Sequence, residues 1–422
     1  MKIILPATIV IISYFINLPS VLGQGALTPP GPPGPTMVTL SQIEPRTPIS
    51  SVPFIITQPG SYYLTTNVTV SSGSAITIAT NNVTLDLNGF TIFSTSPTPS
   101  GYAVLLSGAV VNACVHNGNI SSGVTNNSSG VFSGTGFNYG ISESTADPIN
   151  ARVKDVSVTG VQYYGIYLGA NATVVESCAV NEAGAYGIAA RSVSDSTVLN
   201  CGIVGINGGS INNCYCSGVG SGWGISGVSV NNCSATSAAG SGAYTIYAQN
   251  AQNCYGYDTS TGDGIHVINT ALNCNGYSSS GTGLYAGVAM SCAGSSGGGI
   301  GISSVNTAQN CYGYSTSMYS DGLDGNVVQG CYGSCTGVAY GIRATTVLNS
   351  SGNSSEGNGI FAQTVENSYG NGGIYGIYAE FVGIGCIGNV NSGGIAGLFI
   401  YIANSCYSGT GDSYITYKYN MP

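Results

Sequence analysis

The sequence is poor in charged residues. Only 5% of its 422 residues are Asp, Glu, Lys or Arg, whereas about a quarter is usual in soluble domains. Seven Lys and Arg stand against 16 Asp and Glu, so the formal net charge is −9. So few scattered basic residues cannot form a phosphate-binding stripe, and we expect no nucleic-acid partner.

Motifs for metal and nucleophile chemistry are also missing. The chain has two His residues, His116 and His266, and no Gly-x-Ser-x-Gly elbow accompanies either of them. No Cys-x-x-Cys or Cys/His spacing typical of zinc or haem sites occurs among the 14 Cys residues. The sequence therefore supports neither a hydrolytic triad nor a zinc or haem site.

One short sequence motif recurs about every 20 residues between Ile206 and Cys406. An apolar residue, usually after Gly, is followed eight or nine residues later by Cys or Ser. The apolar column contains Ile206, Ile225, Ile246, Ile265, Leu284, Ile302, Leu323, Ile342, Ile360, Ile377 and Leu398. The second column contains Cys214, Cys233, Cys254, Cys274, Cys292, Cys311, Cys331, Ser350, Ser368, Cys386 and Cys406.

A repeat this short indicates a solenoid. The 65 Gly residues and the many Ser, Thr, Asn and Val residues disfavour helices. The spacing therefore predicts an all-β, single-stranded parallel β-helix with rungs of about 17–22 residues, stacked about 4.8 Å apart. Both columns are expected to face inward, the Cys column as mainly free buried thiols, with Cys331 and Cys335 or Cys214 and Cys216 as exceptions to check. The Asn residues that precede the Cys column are expected to form a structural amide ladder in left-handed turns.

The start of the chain has the pattern of a secretory signal, with Lys2, an apolar run and then small residues up to Gly23. An uncleaved membrane anchor is the alternative. The predicted organisation is a signal peptide over 1–23, a Pro-rich tether over 24–48, an N-terminal cap with the first rungs over 49–98, the β-helix over 99–411 and a C-terminal tail over 412–422. A secreted or cell-surface location follows, with no transmembrane segment after cleavage.

Several segments resemble a known group of proteins. Glu44 to Ile49, Gln58 to Leu64, Val83 to Phe90 and the ending Lys418 to Pro422 are similar to exported bacterial right-handed parallel β-helix repeat proteins. The resemblance spans nearly all of the mature chain. It implies the pectate-lyase-like superfold and its right-handedness, and no single function, because that superfold carries lyases, hydrolases, epimerases and adhesins.

Tyr residues repeat directly after the Cys column and are expected to point outward. These candidates for stacking on sugar rings are Tyr215, Tyr255, Tyr312, Tyr332, Tyr369 and Tyr407. A second aromatic column follows the Ile column and contains Tyr167, Tyr247, Tyr285, Phe361, Tyr378 and Phe399. The alternative is that neighbouring rings in these columns only stack on one another and shield the strands.

Two acidic stretches are weak candidates for chemistry. Asp258, Asp263 and His266 are candidates for acid and base catalysis on a polysaccharide, although Asp263 occupies an ordinary rung position. Asp321 and Asp324 are candidates for Ca²⁺. Arg343 is the nearby basic residue that a lyase would need beside such acids, and it is as readily explained by a cross-rung ion pair with Asp324. No other cofactor is expected.

Together these features predict a secreted or cell-surface β-helix rod that is not an enzyme and that binds glycans, other surface material or copies of itself. The alternative is a carbohydrate-active enzyme, a polysaccharide lyase or glycoside hydrolase. A weaker third hypothesis, an ice-binding face, lacks a regular Thr-x-Thr column.

Overall fold

Each turn of the backbone pairs with the turn before it. Residues that recur at a constant spacing in the sequence therefore occupy the same position in successive turns. The computed structural model describes residues 45–127, 130–237 and 243–421. In these ranges 39 strands form one continuous ladder of parallel pairs and no helix occurs. The chain is an all-β parallel solenoid of about 19 turns, as the spacing predicts. The predicted signal peptide and nearly all of the predicted tether lie outside the described residues.

The first turns are built from short strands. Ile76–Ile78 pairs with Tyr102–Leu106, while Val83–Asp86 and Thr91–Ser94 both pair with Ala113–Ser121. The segment predicted to hold the cap and first rungs is thus already part of the ladder. The strands up to residue 201 are Thr47–Ile49, Phe54–Ile56, Gly60–Leu64, Val68–Val70, Ile76–Ile78, Val83–Asp86, Thr91–Ser94, Tyr102–Leu106, Ala113–Ser121, Gly123–Asn126, Phe132–Thr135, Tyr139–Glu143, Arg152–Val161, Tyr164–Tyr167, Val174–Glu176, Ala179–Ala183, Tyr186–Ser194 and Thr197–Cys201.

From residue 204 each rung contains one long and one short strand. The long strands are Val204–Asn212, Ile225–Asn231, Ile246–Gln252, Ile265–Leu272, Leu284–Met290, Ile302–Gln309, Leu323–Gln329, Ile342–Leu348, Ile360–Glu366, Tyr375–Ile384, Ala396–Asn404 and Asp412–Tyr419. The short strands are Tyr215–Val219, Ser234–Ser237, Tyr255–Asp258, Asn275–Ser278, Ala293–Ser296, Tyr312–Ser315, Tyr332–Cys335, Ser351–Ser354, Tyr369–Gly372, Ile387–Val390 and Tyr407–Ser408.

The two ends of the predicted β-helix hold strands of their own. Near the start, Gly123–Asn126 and Phe132–Thr135 pair antiparallel, outside the ladder. Asp412–Tyr419 pairs with Ala396–Asn404, so the segment predicted as a tail begins with one more strand of the ladder.

The predicted Ile column is confirmed residue by residue. Ile206 pairs with Ile225 and Ile225 with Ile246, and the register continues in this way to the pair of Ile377 with Leu398. The members are fully buried. Each contributes about 1.5–3 kcal/mol by leaving water. An arc of nine residues instead of eight is absorbed inside the long strands, for example by a register shift between Val267 and Thr270.

The Cys column also lies inside the rod. All 14 thiols are free, and only Cys114 is partly exposed. The pairs Cys331 with Cys335 and Cys214 with Cys216 are likewise unbridged. Burial raises the pKa of Cys178 to about 11 and that of Cys201 to about 12. Such thiols stay protonated and unreactive at neutral pH.

Glycine residues allow backbone segments within the rungs to pack closely against one another. A Cβ added at Gly276 would lie 2.1 Å from the carbonyl oxygen of Gly283, and one at Gly313 would lie 2.3 Å from that of Gly322. The short strand therefore packs backbone against backbone on the turn that leads into the next long strand. This close approach explains much of the glycine content.

Candidate functional site

The six predicted sugar-stacking tyrosines share one outward column along the short strands. Their exposed fractions range from 37% for Tyr332 to 54% for Tyr407. Other residues stand between some of them: Ser234 lies between Tyr215 and Tyr255, and Ile387 lies between Tyr369 and Tyr407. The outward direction that strand alternation predicts is thus what the structure has.

One part of this column has the form of a groove. Between Tyr255 and Tyr312 two successive rungs carry Asn275 and Ala293 at the same position. At about 4.8 Å per rung the two rings stand about 14 Å apart. Since Ala293 ends at its methyl group, it cannot cover the face of the Tyr312 ring. On the other side Tyr312 stacks on Tyr332, with ring centroids 5.3 Å apart.

The wall of this groove is the corner that precedes the Cys column. We call the whole feature the tyrosine groove; it has a volume of about 470 Å³ and is lined by Asn273, Cys274, Asn275, Ser291, Cys292, Ala293, Asn310, Cys311, Tyr312, Gly330, Cys331 and Tyr332. The open face of the Tyr312 ring, corner amides and a serine hydroxyl line one channel along the rod axis. This combination suits hydroxyl-rich rings, which stack on aromatics and exchange hydrogen bonds.

The corner itself is the predicted amide ladder. Asn213, Asn232, Asn253, Asn273, Asn310, Asn349 and Asn367 all have left-handed backbone angles, with φ between 47° and 54°. The side-chain amides of Asn232, Asn253 and Asn273 each donate to the amide oxygen in the preceding rung, at 3.0–3.3 Å. The ladder is exposed, so its outer edge is available to a ligand.

The second aromatic column behaves differently. Trp223, Tyr244, Tyr247, His266 and Tyr285 form a pile that we call the aromatic stack. His266 lies between Tyr244 and Tyr285, with centroid distances of 4.3 and 4.4 Å. These faces contact one another, as the shielding alternative predicts. The stack therefore presents ring edges, whereas the tyrosine groove presents one open ring face, that of Tyr312.

The acids near residue 260 do not form a catalytic pair. Asp258 is fully buried in a column of interior Ser residues. It accepts hydrogen bonds from the Ser260 amide at 2.6 Å and the Thr245 hydroxyl at 3.3 Å, and burial raises its pKa. Asp258 therefore holds a loop, and its side chain lies in the interior, away from any polysaccharide on the surface.

Asp263 and His266 do come together on the surface. The Asp263 carboxylate is 2.8 Å from His266 Nδ1 and also accepts the Thr282 amide of the next rung at 2.9 Å. The carboxylate thus fixes a turn and orients a ring that is sandwiched in the aromatic stack. Both side chains are engaged in structural contacts, and no second carboxylate joins them among the contacts of the described residues.

The acids near residue 322 meet an arginine. Arg343 Nε lies 2.9 Å from Asp321, and its Nη2 lies 2.8 Å from Asp324. The buried Asp321 also accepts the Tyr340 amide at 3.0 Å. Burial raises the pKa of Asp321 to about 6. The cross-rung ion pair between Asp324 and Arg343 is therefore present, and Arg343 contacts both carboxylates that were candidates for Ca²⁺. In the described ranges, no three His, Cys, Asp or Glu side chains group in a way that could hold a metal ion.

The prediction from the sequence missed a second cavity, on the earlier rungs. Tyr164, Tyr167 and Tyr186 line it together with Asp147 and Arg191. The Tyr-Gly-Ile motif of these rungs could have indicated the row of rings, because the Tyr of each motif lies beside the Tyr of the next motif in the ladder. The spacing of the repeats does not indicate that Asp147 and Arg191 line this cavity.

Comparison with known proteins gives structural similarity at low sequence identity. No family model and no curated protein matches the chain. Among solved structures, it is similar to the Dettilon tailspike protein gp208, at 12% identity and a TM-score of 0.29, covering 84% of this chain and 62% of that one. It is also similar to the A-module of the Azotobacter vinelandii mannuronan C-5 epimerase AlgE4, at 11% identity and a TM-score of 0.25, covering 86% and 88%. The chain spans less than two thirds of the tailspike's length. Within the described ranges no helix is long and apolar enough to cross a membrane.

Proposed function

We propose that the protein is a secreted or cell-surface rod that binds polysaccharide along the tyrosine groove without cleaving it. The observation that carries the proposal is the two-rung gap between Tyr255 and Tyr312, which has the uncovered face of the Tyr312 ring at one end and a floor of Asn275 and Ala293. The gap runs along the rod axis. A glycan chain lying in it would meet that ring face, corner amides and hydroxyls in succession.

The signal-like leader supports the location, and the low charge of the rod supports a ligand held by stacking and neutral hydrogen bonds. The enzyme alternative is disfavoured by the buried position of Asp258 and the engaged state of Asp263. Self-association and other surface partners stay alternatives.

The test is retention of the full chain on a panel of immobilised neutral and acidic polysaccharides. Replacing Tyr255, Tyr312 and Tyr332 by Ala together removes three contacts of about 0.5–1.5 kcal/mol each, so retention should weaken by about tenfold or more. A matched control replaces Tyr319, Tyr401 and Tyr419, which are exposed outside the groove. Equal loss in both triple variants, or no loss in the first, would contradict the proposal. New reducing ends in the eluate would favour the enzyme.

A further inference from the structure

The cavity on the earlier rungs has the composition of a second binding site. Its volume is about 340 Å³, and three tyrosine rings line it. Tyr164 and Tyr167 stack at 4.8 Å, and Tyr186 meets both edge-on at 5.6 and 6.1 Å. Tyr139 and Tyr102 continue the row of rings at 5.4 and 4.5 Å. The cavity therefore opens beside a tyrosine surface that crosses four rungs.

Arg191 supplies a positive charge at one end of this cavity. Its guanidinium lies over the next rung, where a Cβ added at Gly209 would be 2.5 Å from Nη1 and 2.8 Å from Cζ. Gly208 and Gly209 both line the cavity, so the absence of side chains there leaves room for the guanidinium. Within the described ranges Arg191 has no ion-pair partner, whereas Arg46, Lys154 and Arg343 each have at least one.

The carboxylates lie elsewhere around the cavity. Asp147 is seated against Gly169, where an added Cβ would be 2.3 Å from its Cγ, and it accepts the Ala170 amide at 3.4 Å. No ion pair joins Asp147 and Arg191, although both line the same cavity. Glu143 is close by: its Oε2 is enclosed and has no hydrogen-bond partner. Burial and then the charge of Asp147 raise the pKa of Glu143.

We propose that this cavity binds a sugar unit that carries an anionic substituent, a carboxylate or a sulfate. The anionic group would pair with the planar fork of Arg191, which matches two oxygens at once. The ring would pack against Tyr167 and Tyr186, and hydroxyls would donate to Asp147. The inference rests on the proposed function, because it takes the ligand to be a glycan, and it assigns a chemical class to one unit of that glycan.

The charges around the cavity determine how such a unit is oriented. Asp147 and Glu143 repel an anionic group, while Arg191 is the only cation among the residues that line the cavity. The substituent must therefore point toward Gly208 and Gly209. A neutral sugar could occupy the same space, but the guanidinium would then gain no counter-charge.

The test compares three glucose oligosaccharides of equal length, namely neutral, glucuronate-containing and sulfated, by titration calorimetry with the full chain. We expect one or both anionic forms to bind at least about tenfold more tightly than the neutral form; which of them does so identifies the substituent. Arg191→Gln should abolish this preference, and Arg191→Lys should keep part of it because the charge remains without the fork. Arg152→Gln is the matched control, since Arg152 is also exposed and lies outside the cavity.

Equal affinity for all three ligands would overturn the inference, and so would equal loss in Arg191→Gln and Arg152→Gln. If Arg191→Gln folds poorly, Gly209→Ser provides a second test, because its side chain would displace the guanidinium and should also abolish the preference. The groove triple variant separates the two proposals. If that variant loses retention on neutral glycans but keeps the preference for anionic ligands, both proposals are supported. If its retention is unchanged, only the groove proposal is contradicted.

Discussion

The side-chain amide of Asn253 donates a 3.0 Å hydrogen bond to the amide oxygen of Asn232 in the preceding rung. Both residues adopt left-handed backbone angles, with φ of 53° and 52°. One residue type thus meets two requirements of the corner. It tolerates the left-handed turn, and it links successive rungs outside the backbone ladder.

Replacing Asn253 by Ala should therefore cost about 1–3 kcal/mol of unfolding free energy, since it combines left-handed strain with loss of the amide bonds. Asn253→Gly should cost less, because Gly accepts the backbone angle and loses only the side-chain contacts. Urea unfolding followed by circular dichroism measures both. Equal costs for the two variants would mean that backbone angle is irrelevant at this corner.

Substitution of Ser in the Cys column should have little effect on stability, whereas substitution of Val should be destabilising. Cys311 Sγ donates to the Gln309 carbonyl and accepts the Cys292 amide, and Ser350 makes the same two bonds further along the column. Cys311→Ser should change the unfolding free energy by less than about 1 kcal/mol. Cys311→Val should cost about 1–3 kcal/mol, because it leaves a buried amide without its acceptor. The urea midpoints of the two variants test this, and a Val variant as stable as wild type would contradict it.

Gly276 should not tolerate a side chain. A Cβ there would lie 2.1 Å from the carbonyl oxygen of Gly283, and backbone on both sides leaves little room to move. Gly276→Ala should destabilise the rod by at least about 2 kcal/mol. The neighbouring exposed Asn275→Ala is the control and should have little effect on stability. Thermal melting of the two variants side by side makes the comparison.

Asp321 should give the protein a specific pH dependence. Its pKa of about 6 in the folded state lies above its ordinary value of 3.8. The folded state therefore holds the proton more tightly, and the stability contributed by this group is full below about pH 4 and is lost as pH rises to about 6. The loss amounts to at most about 3 kcal/mol. Asp321→Asn should remove it, so that the stability difference between the variant and wild type rises from pH 4 to pH 6 and then stays constant. A difference independent of pH would show that Asp321 does not titrate in this range.

Much of the fold could be predicted because the repeat is regular. In a parallel ladder, a residue that returns at a constant spacing occupies the same place in every rung, so the Ile, Cys and Asn columns could be assigned from their numbers. The candidate sites were harder to predict. Asp258 and Asp263 stand five positions apart, yet one faces the interior and the other the surface. The reason is that the turn between them ends the alternation on which the prediction relied.

The sequence by itself determined the rung period, the inward columns and the outward direction of the tyrosines, because alternation along a strand and stacking between strands convert spacing directly into position. Only the tertiary structure decided which outward side chains share a cavity. Asp147, Tyr167 and Arg191 lie on three different rungs: Asp147 stands between strands, whereas Tyr167 and Arg191 lie on paired strands. Tertiary packing also decided that the rings of the aromatic stack cover one another while Tyr312 keeps a face open. These outcomes depend on distances between rungs and loops, which no periodic pattern encodes.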